Sequence, residues 1–264
     1  MRIHIIIALC AVAALTAPGA VTGTLTMENG DVHKGTVRWS AREKSYVMTK
    51  GKIEQQFKAT DVAEIDIEKP AAFDAAVAQV AKGQGAAAIP ALQQIVKDYA
   101  HLQWDKTAGR YLAEAYVAAE KPADALKVCD DIIKGEPSAA FRGELAPAYW
   151  SALLSLNRRS PLEKSLERAE KGNDRFSRGA ALIMRGDIAM KDGNESADAC
   201  KKALTDGYLR VAFLYKDAEV AEKLQPEALY KAAHCFDKLS QSGRADFMRT
   251  ELKRTYASSP WASK

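Results

Sequence analysis

The chain has 264 residues, 47% apolar and 27% charged, with 38 basic against 34 acidic side chains and a formal charge of +4. Such a length exceeds one ordinary domain of ~100–200 residues and has room for two. The composition excludes a disordered chain and a membrane bundle, and without a long run of one sign no phosphate-tracking stripe for nucleic acid is present.

Met1-Arg2-Ile3-His4 is a short basic start, Ile5 to Leu15 an apolar run, and Thr16-Ala17-Pro18-Gly19-Ala20 a small-residue exit. Together they match a secretory signal peptide over 1–21, with cleavage between Gly19 and Gly23. The expected location is therefore the periplasm or another envelope compartment. The apolar run falls short of the ~20 residues that span a bilayer as helix, so the mature chain is expected to have no transmembrane span. Cys10 lies inside the run, where a lipobox cysteine would end it.

From 22 to 69 the pattern has period two. Leu25 and Met27 share a face, followed by Val37 and Trp39, then Ile53 and Phe57, then Ala63, Ile65 and Ile67. These sets predict half-buried strands. Asn29-Gly30 suits a type I′ hairpin turn, and Gly51 marks a second turn. Glu64, Asp66 and Glu68 alternate with the last apolar set and read as a solvated outer face rather than as paired catalytic carboxylates.

After Lys69-Pro70 the sequence turns Ala-, Leu- and Lys-rich with helical periodicity. The boundary is placed there, giving a β domain over 22–69 and a helical domain over 70–264. Predicted helices are 71–82, 85–99, 104–119, 122–134, 139–157, 161–171, 175–191, 195–215, 224–239 and 243–256, arranged as five hairpins. Small residues at Ala87, Ala125, Ser165, Ala197 and Ala245 are expected where the two helices of a pair approach closely.

Two stretches resemble known families. Gly23 to Asp31, Lys34-Gly35-Thr-Val-Arg-Trp39, Tyr46-Val-Met48, Phe57-Lys-Ala59 and Asp61-Val-Ala-Glu-Ile65 resemble small SH3-like or Sm-like β-barrels, which bind peptides, cell-wall material or RNA. Export points away from RNA. Thr107-Ala-Gly-Arg-Tyr-Leu112-Ala113-Glu-Ala-Tyr116, with Ala125 and Pro137, resembles a tetratricopeptide repeat, although Ala113 stands where that family prefers Gly. Arg185-Gly186-Asp-Ile-Ala189 with Lys202-Ala203-Leu204 resembles the same repeat family, and the closing Leu252…Tyr256…Ser259-Pro260-Trp261-Ala262 is similar to envelope repeat proteins of the cell-division coordinator and outer-membrane assembly kinds. The implied fold is α+β and mainly α, a small β-barrel followed by a helical solenoid. The implied function is a peptide-binding groove lined by Arg110, Glu114, Trp150, Asp187, Tyr230 and His234.

Signatures of catalysis are absent: there is no G-x-S-x-G, S-x-x-K or H-E-x-x-H. His33, His101 and His234 are far apart. Gly83-Gln84-Gly85 echoes a dinucleotide fingerprint, but a helix precedes it where that motif needs a strand, so it reads as a turn. Asp124, Asp130 and Asp131 read as a solvated helix face. Beyond the leader, Cys129, Cys200 and Cys235 are odd in number and lack CxxC spacing. They are expected as buried thiols, with a Cys200–Cys235 bridge left open. No cofactor or metal is expected. The expected function is a non-enzymatic envelope adaptor that binds a protein or peptide; the alternative is a peptidoglycan- or glycan-binding module acting through residues 22–69.

Overall fold

The computed structural model describes residues 20–215 and 218–264; all but the end of the expected signal peptide lies outside the described residues. The chain is α+β, an antiparallel five-stranded sheet followed by helices. It divides into two compact units. One is the chain up to Lys69 together with Lys97–Asp105; the other is Pro70–Val96 with Lys106–Lys264.

In the first unit, β1 (Val21–Met27), β2 (Val32–Ser40), β3 (Ser45–Lys50), β4 (Ile53–Lys58) and β5 (Val62–Ile67) pair in the order β4-β3-β2-β1-β5. The alternation buries Leu25, Val37, Met48, Phe57 and Ile67 on one face. Ile53 departs from its expected place and is 72% exposed, because it pairs with Lys50 at the hairpin end of an edge strand, past the reach of the core. The β1–β2 turn also differs from the expected I′ form. Gly30 is left-handed, at φ +88°, but Asn29 is not. Gly30 N–H donates to Met27 O, Met27 N–H donates to Asp31 O, and the Asn29 side chain accepts from Asp31 N–H. Those bonds close a three-residue loop with one αL residue, which needs glycine at a single position.

Residues 97–105, expected to belong wholly to the helical domain, complete this unit. Leu102 is fully buried among the sheet's apolar side chains. Beside it, Gln103 Oε1 accepts from Ile67 N–H at 3.1 Å and Trp104 Nε1–H donates to Ile67 O at 2.9 Å. The open edge of β5 thus has its last backbone groups satisfied.

The second unit contains α1 (Phe73–Ala81), α2 (Gly85–Asp98), α3 (Trp104–Ala118), α4 (Pro122–Gly135), α5 (Ala146–Ser155), α6 (Arg159–Lys171), α7 (Arg175–Asp192), α8 (Ala197–Ala203), α9 (Leu209–Leu214), α10 (Ala218–Lys238) and α11 (Ser242–Thr255), apart from the ends of α2 and α3 within 97–105. A π-helical turn, Leu204–Tyr208, joins α8 to α9. One turn geometry recurs. At Gly83, Glu120, Asn157, Asn194 and Ser240 the chain is left-handed. At each, this residue's N–H bonds back three residues and the next N–H bonds back five, as with Gly83 to Val80 O and Gln84 to Gln79 O. This is the Schellman C-cap, which satisfies the last helix carbonyls and reverses the chain. The Gly83-Gln84-Gly85 string is accordingly a turn between α1 and α2.

Three expectations for this unit are corrected. The 139–157 helix is broken into a 3₁₀ turn, Pro137–Ala140, and α5, because Gly143 is left-handed and gives its N–H to Ser177 Oγ instead of to a helical carbonyl. Helix α10 begins before the expected 224 and carries Pro226 inside it; burial of Ala221 and Leu224 outweighs the local break. Ala125, Ser165 and Ala245 are buried as expected, but Ala87 and Ala197 are exposed and Ala88 and Ala199 take their places.

Candidate functional site

A cleft of about 660 Å³ lies within the helical unit. Arg110 and Glu114, one turn apart on α3, face it together with Glu144 from the segment before α5, Asp187 on α7, and Lys223 and Glu227 on α10. Val80, Phe176 and Trp261 contribute apolar wall. Asp187 is set by a close helix approach: a side chain on Gly207 would sit 2.5 Å from Leu182 O, and the Tyr208 ring lies directly over Gly186. That approach brings the Tyr208 hydroxyl to Asp187 Oδ1, to which it donates at 2.7 Å.

The acids of the cleft are each paired with a base, and Lys264 lies over the Trp261 ring at 3.7 Å. Arg110 lies 2.7 Å from Glu144 and 3.5 Å from Glu114, and stacks on the Tyr111 ring at 3.8 Å. Lys223 reaches Glu144 at 2.9 Å. Lys231 joins Asp187 at 2.7 Å and Glu227 at 2.6 Å. Burial works against the Lys231 ammonium, but Asp187 and Glu227 outweigh it and raise its pKa. Burial raises the Asp187 carboxyl, opposed by Lys231 and by the Tyr208 hydroxyl. Glu144 shows the reverse balance: burial is overcome by Lys223 and Arg110, and its pKa is lowered. Glu114 is pushed up to about 7, first by burial and then by Glu144 and Glu227, with Arg110 countering. Its carboxyl can therefore take up or release a proton near neutrality.

Of the residues expected to line a groove, Arg110, Glu114 and Asp187 line this cleft. Trp150 does not: it is fully buried, its indole N–H donating to Ser165 Oγ at 2.7 Å and to Ala140 O at 3.0 Å. The break before α5 turns it into the core. Tyr230 packs against Trp261, ring centroids 5.2 Å apart, so the C-terminal turn Pro260–Ser263 covers it and Trp261 forms the wall instead. His234 is half exposed outside the cleft, 3.9 Å from Glu195. Sequence reading missed Glu144, Tyr208, Lys223 and Glu227. Lys223, Glu227 and Lys231 recur every fourth residue, a spacing that puts them on one helix face; nothing local marks Glu144 or Tyr208.

Cys129, Cys200 and Cys235 are buried free thiols, and burial pushes Cys129 and Cys235 up to about 12. Thiolate chemistry at neutral pH is thereby suppressed. Among the described residues there is no cluster of His, Cys, Asp and Glu that could hold a metal ion, and no helix long and apolar enough to cross a membrane. No family model matches the chain, and no match is found among curated proteins or solved structures.

Proposed function

We propose that this protein is an exported, non-enzymatic adaptor whose helical unit holds an extended peptide or a helix of a partner protein in the Arg110–Asp187 cleft. The observation that carries this reading is the make-up of the cleft: apolar walls around Arg110, Tyr111, Glu114 and Trp261, with its acids paired to bases. Aromatic and Arg anchors beside satisfied polar groups are what a peptide groove uses. The recurring Schellman turn supports a tetratricopeptide-like solenoid, since it falls at 83, 120, 157 and 194, an interval of 37 residues, before a longer step to 240. Periplasmic or envelope location rests on the leader pattern.

A photo-crosslinking residue in place of Val80 should give a discrete protein adduct in intact envelopes. Arg110→Ala with Phe176→Ala should reduce that adduct at least tenfold. An adduct indifferent to both changes, or none, removes the reading.

A second reading has the β unit, as an SH3-like barrel, binding cell-wall glycan. It is favoured by an aromatic group in which Trp39 lies 4.9 Å from Tyr46 and 4.5 Å from His101, offering faces on which a sugar ring can stack. A fragment of 22–69 would lack Leu102, so the test uses the whole chain. Co-sedimentation with purified cell wall should fall several-fold on Trp39→Ala, and equal sedimentation of both proteins excludes it.

A further inference from the structure

A separate cleft of about 1170 Å³ in the helical unit is lined by residues of α7, α8 and α9. Its charges are of two kinds. Arg185 is held by Glu170 at 2.8 Å and by Glu163, Lys202 by Asp206 at 2.9 Å, and Asp198 by Lys201 at 3.1 Å. Arg175, Arg178 and Arg210 line the same cleft and have no ion pair among the described residues. Arg175 and Arg178 lie one turn apart on α7, and Arg210 enters from α9.

All three guanidiniums act on one hydroxyl. Burial raises the pKa of Tyr215, and Arg178, Arg175 and Arg210 pull it back. The Tyr215 ring is fixed in place. It lies over Gly179, where a Cβ would come within 2.9 Å of it, and Gln225 Nε2 donates to its carbonyl at 2.5 Å. Next to Arg210, Leu214 is 65% and Phe213 45% exposed.

Three like charges without an ion pair among the described residues repel one another, so the cluster is most favourable with an anion between them. A guanidinium presents a planar fork of donors that matches the oxygens of a phosphoryl group, and such charge-assisted pairs are the strong ones. A phosphoryl group also brings a charge of about −1.5 to −2 and three acceptor oxygens, which suits several arginines better than one carboxylate does. We propose that this cleft binds a phosphoryl group between Arg175, Arg178, Arg210 and the Tyr215 hydroxyl. Exposed Leu214, on the wall of the cleft, gives an apolar attachment of that group a surface to lie on.

The test uses the full chain in two arms at low salt. One titrates inorganic pyrophosphate by calorimetry; the other measures co-sedimentation with vesicles of phosphatidylglycerol and phosphatidylcholine against phosphatidylcholine alone. Saturable binding is expected in at least one arm, weakened tenfold or more by Arg178→Gln with Arg210→Gln and unchanged by Arg42→Gln, an arginine whose side chain is 93% exposed in the other unit. Binding to anionic vesicles alone assigns the group to a lipid headgroup, and binding to pyrophosphate assigns it to a soluble phosphate. Should the double variant lose its helical circular dichroism, the single Arg175→Gln carries the same comparison, with a several-fold loss. No binding in either arm, or binding that the variants retain in full, overturns the proposal. Neither result depends on the peptide cleft, whose crosslink is read separately.

Discussion

The two clefts of the helical unit handle charge in opposite ways. Around Asp187 the carboxylates and cations are interleaved: Lys231 between Asp187 and Glu227, Arg110 between Glu114 and Glu144. Around Tyr215 three arginines line a cleft without an ion pair among the described residues, while the acids of that cleft, such as Glu170, Asp192 and Asp206, are paired to other bases. Their depth accounts for the difference. Lys231 and Asp187 keep only 22% and 21% of their side-chain surface, and a charge that has lost most of its water needs a partner. Arg175, Arg178 and Arg210 are exposed, where water screens their repulsion and a bare cluster is tolerated. Paired charges therefore belong to the architecture of the unit, and the arginines without an ion pair among the described residues are the ones a ligand can reach.

The largest test of that contrast is Lys231→Met. It strands Asp187 and Glu227 against apolar surroundings and should lower stability in urea unfolding by about 3 kcal/mol. A loss under about 1 kcal/mol would mean that water already solvates the Asp187 network, and the contrast between the clefts would fail.

A smaller and pH-dependent effect is expected at Glu114. Its folded pKa, about 7, lies above the ordinary carboxyl value of 4.5, so between those values the folded state binds more protons than the unfolded one. Its contribution to stability is therefore greatest below about pH 4.5 and declines as pH rises through 7. Glu114→Gln should gain stability relative to the parent by about 1–2 kcal/mol at pH 8, after discounting for partial exposure and the weakened Arg110 contact, and the gain should vanish near pH 5. Melting curves across that range would decide it; a difference independent of pH would show that Glu114 is ionised throughout.

Helix periodicity located the helices of the second unit closely, because a buried stripe repeats every three or four residues whatever it packs against. The turns between them were harder to read. Gly83, lacking a Cβ, and Asn157 and Asn194, with short polar side chains, suit the left-handed region, but Glu120 and Ser240 adopt it without local encouragement, so the regular interval stayed hidden. In the candidate cleft, Arg110 and Glu114 were legible as neighbours four residues apart on one helix, and Asp187 through the repeat resemblance. Trp150 and Tyr230 were misplaced because their exposure depends on elements remote in sequence: the break at Gly143 and the turn bearing Trp261.

By itself, the sequence determined the α+β order of elements, the β-to-helix transition at Lys69-Pro70 and the faces that most strands and helices bury, since these follow from short-range periodicity. Only the tertiary structure decided that Leu102 joins the sheet, that Lys231 meets Asp187 across 44 residues, and that Arg175, Arg178 and Arg210 share one cleft. Each of those groupings includes residues far apart in the chain; burial holds Leu102 on the sheet and Coulomb attraction joins Lys231 to Asp187, while the arginines are brought together by the packing of α7 and α9 despite their mutual repulsion, and all of these depend on distance in space rather than on spacing in sequence.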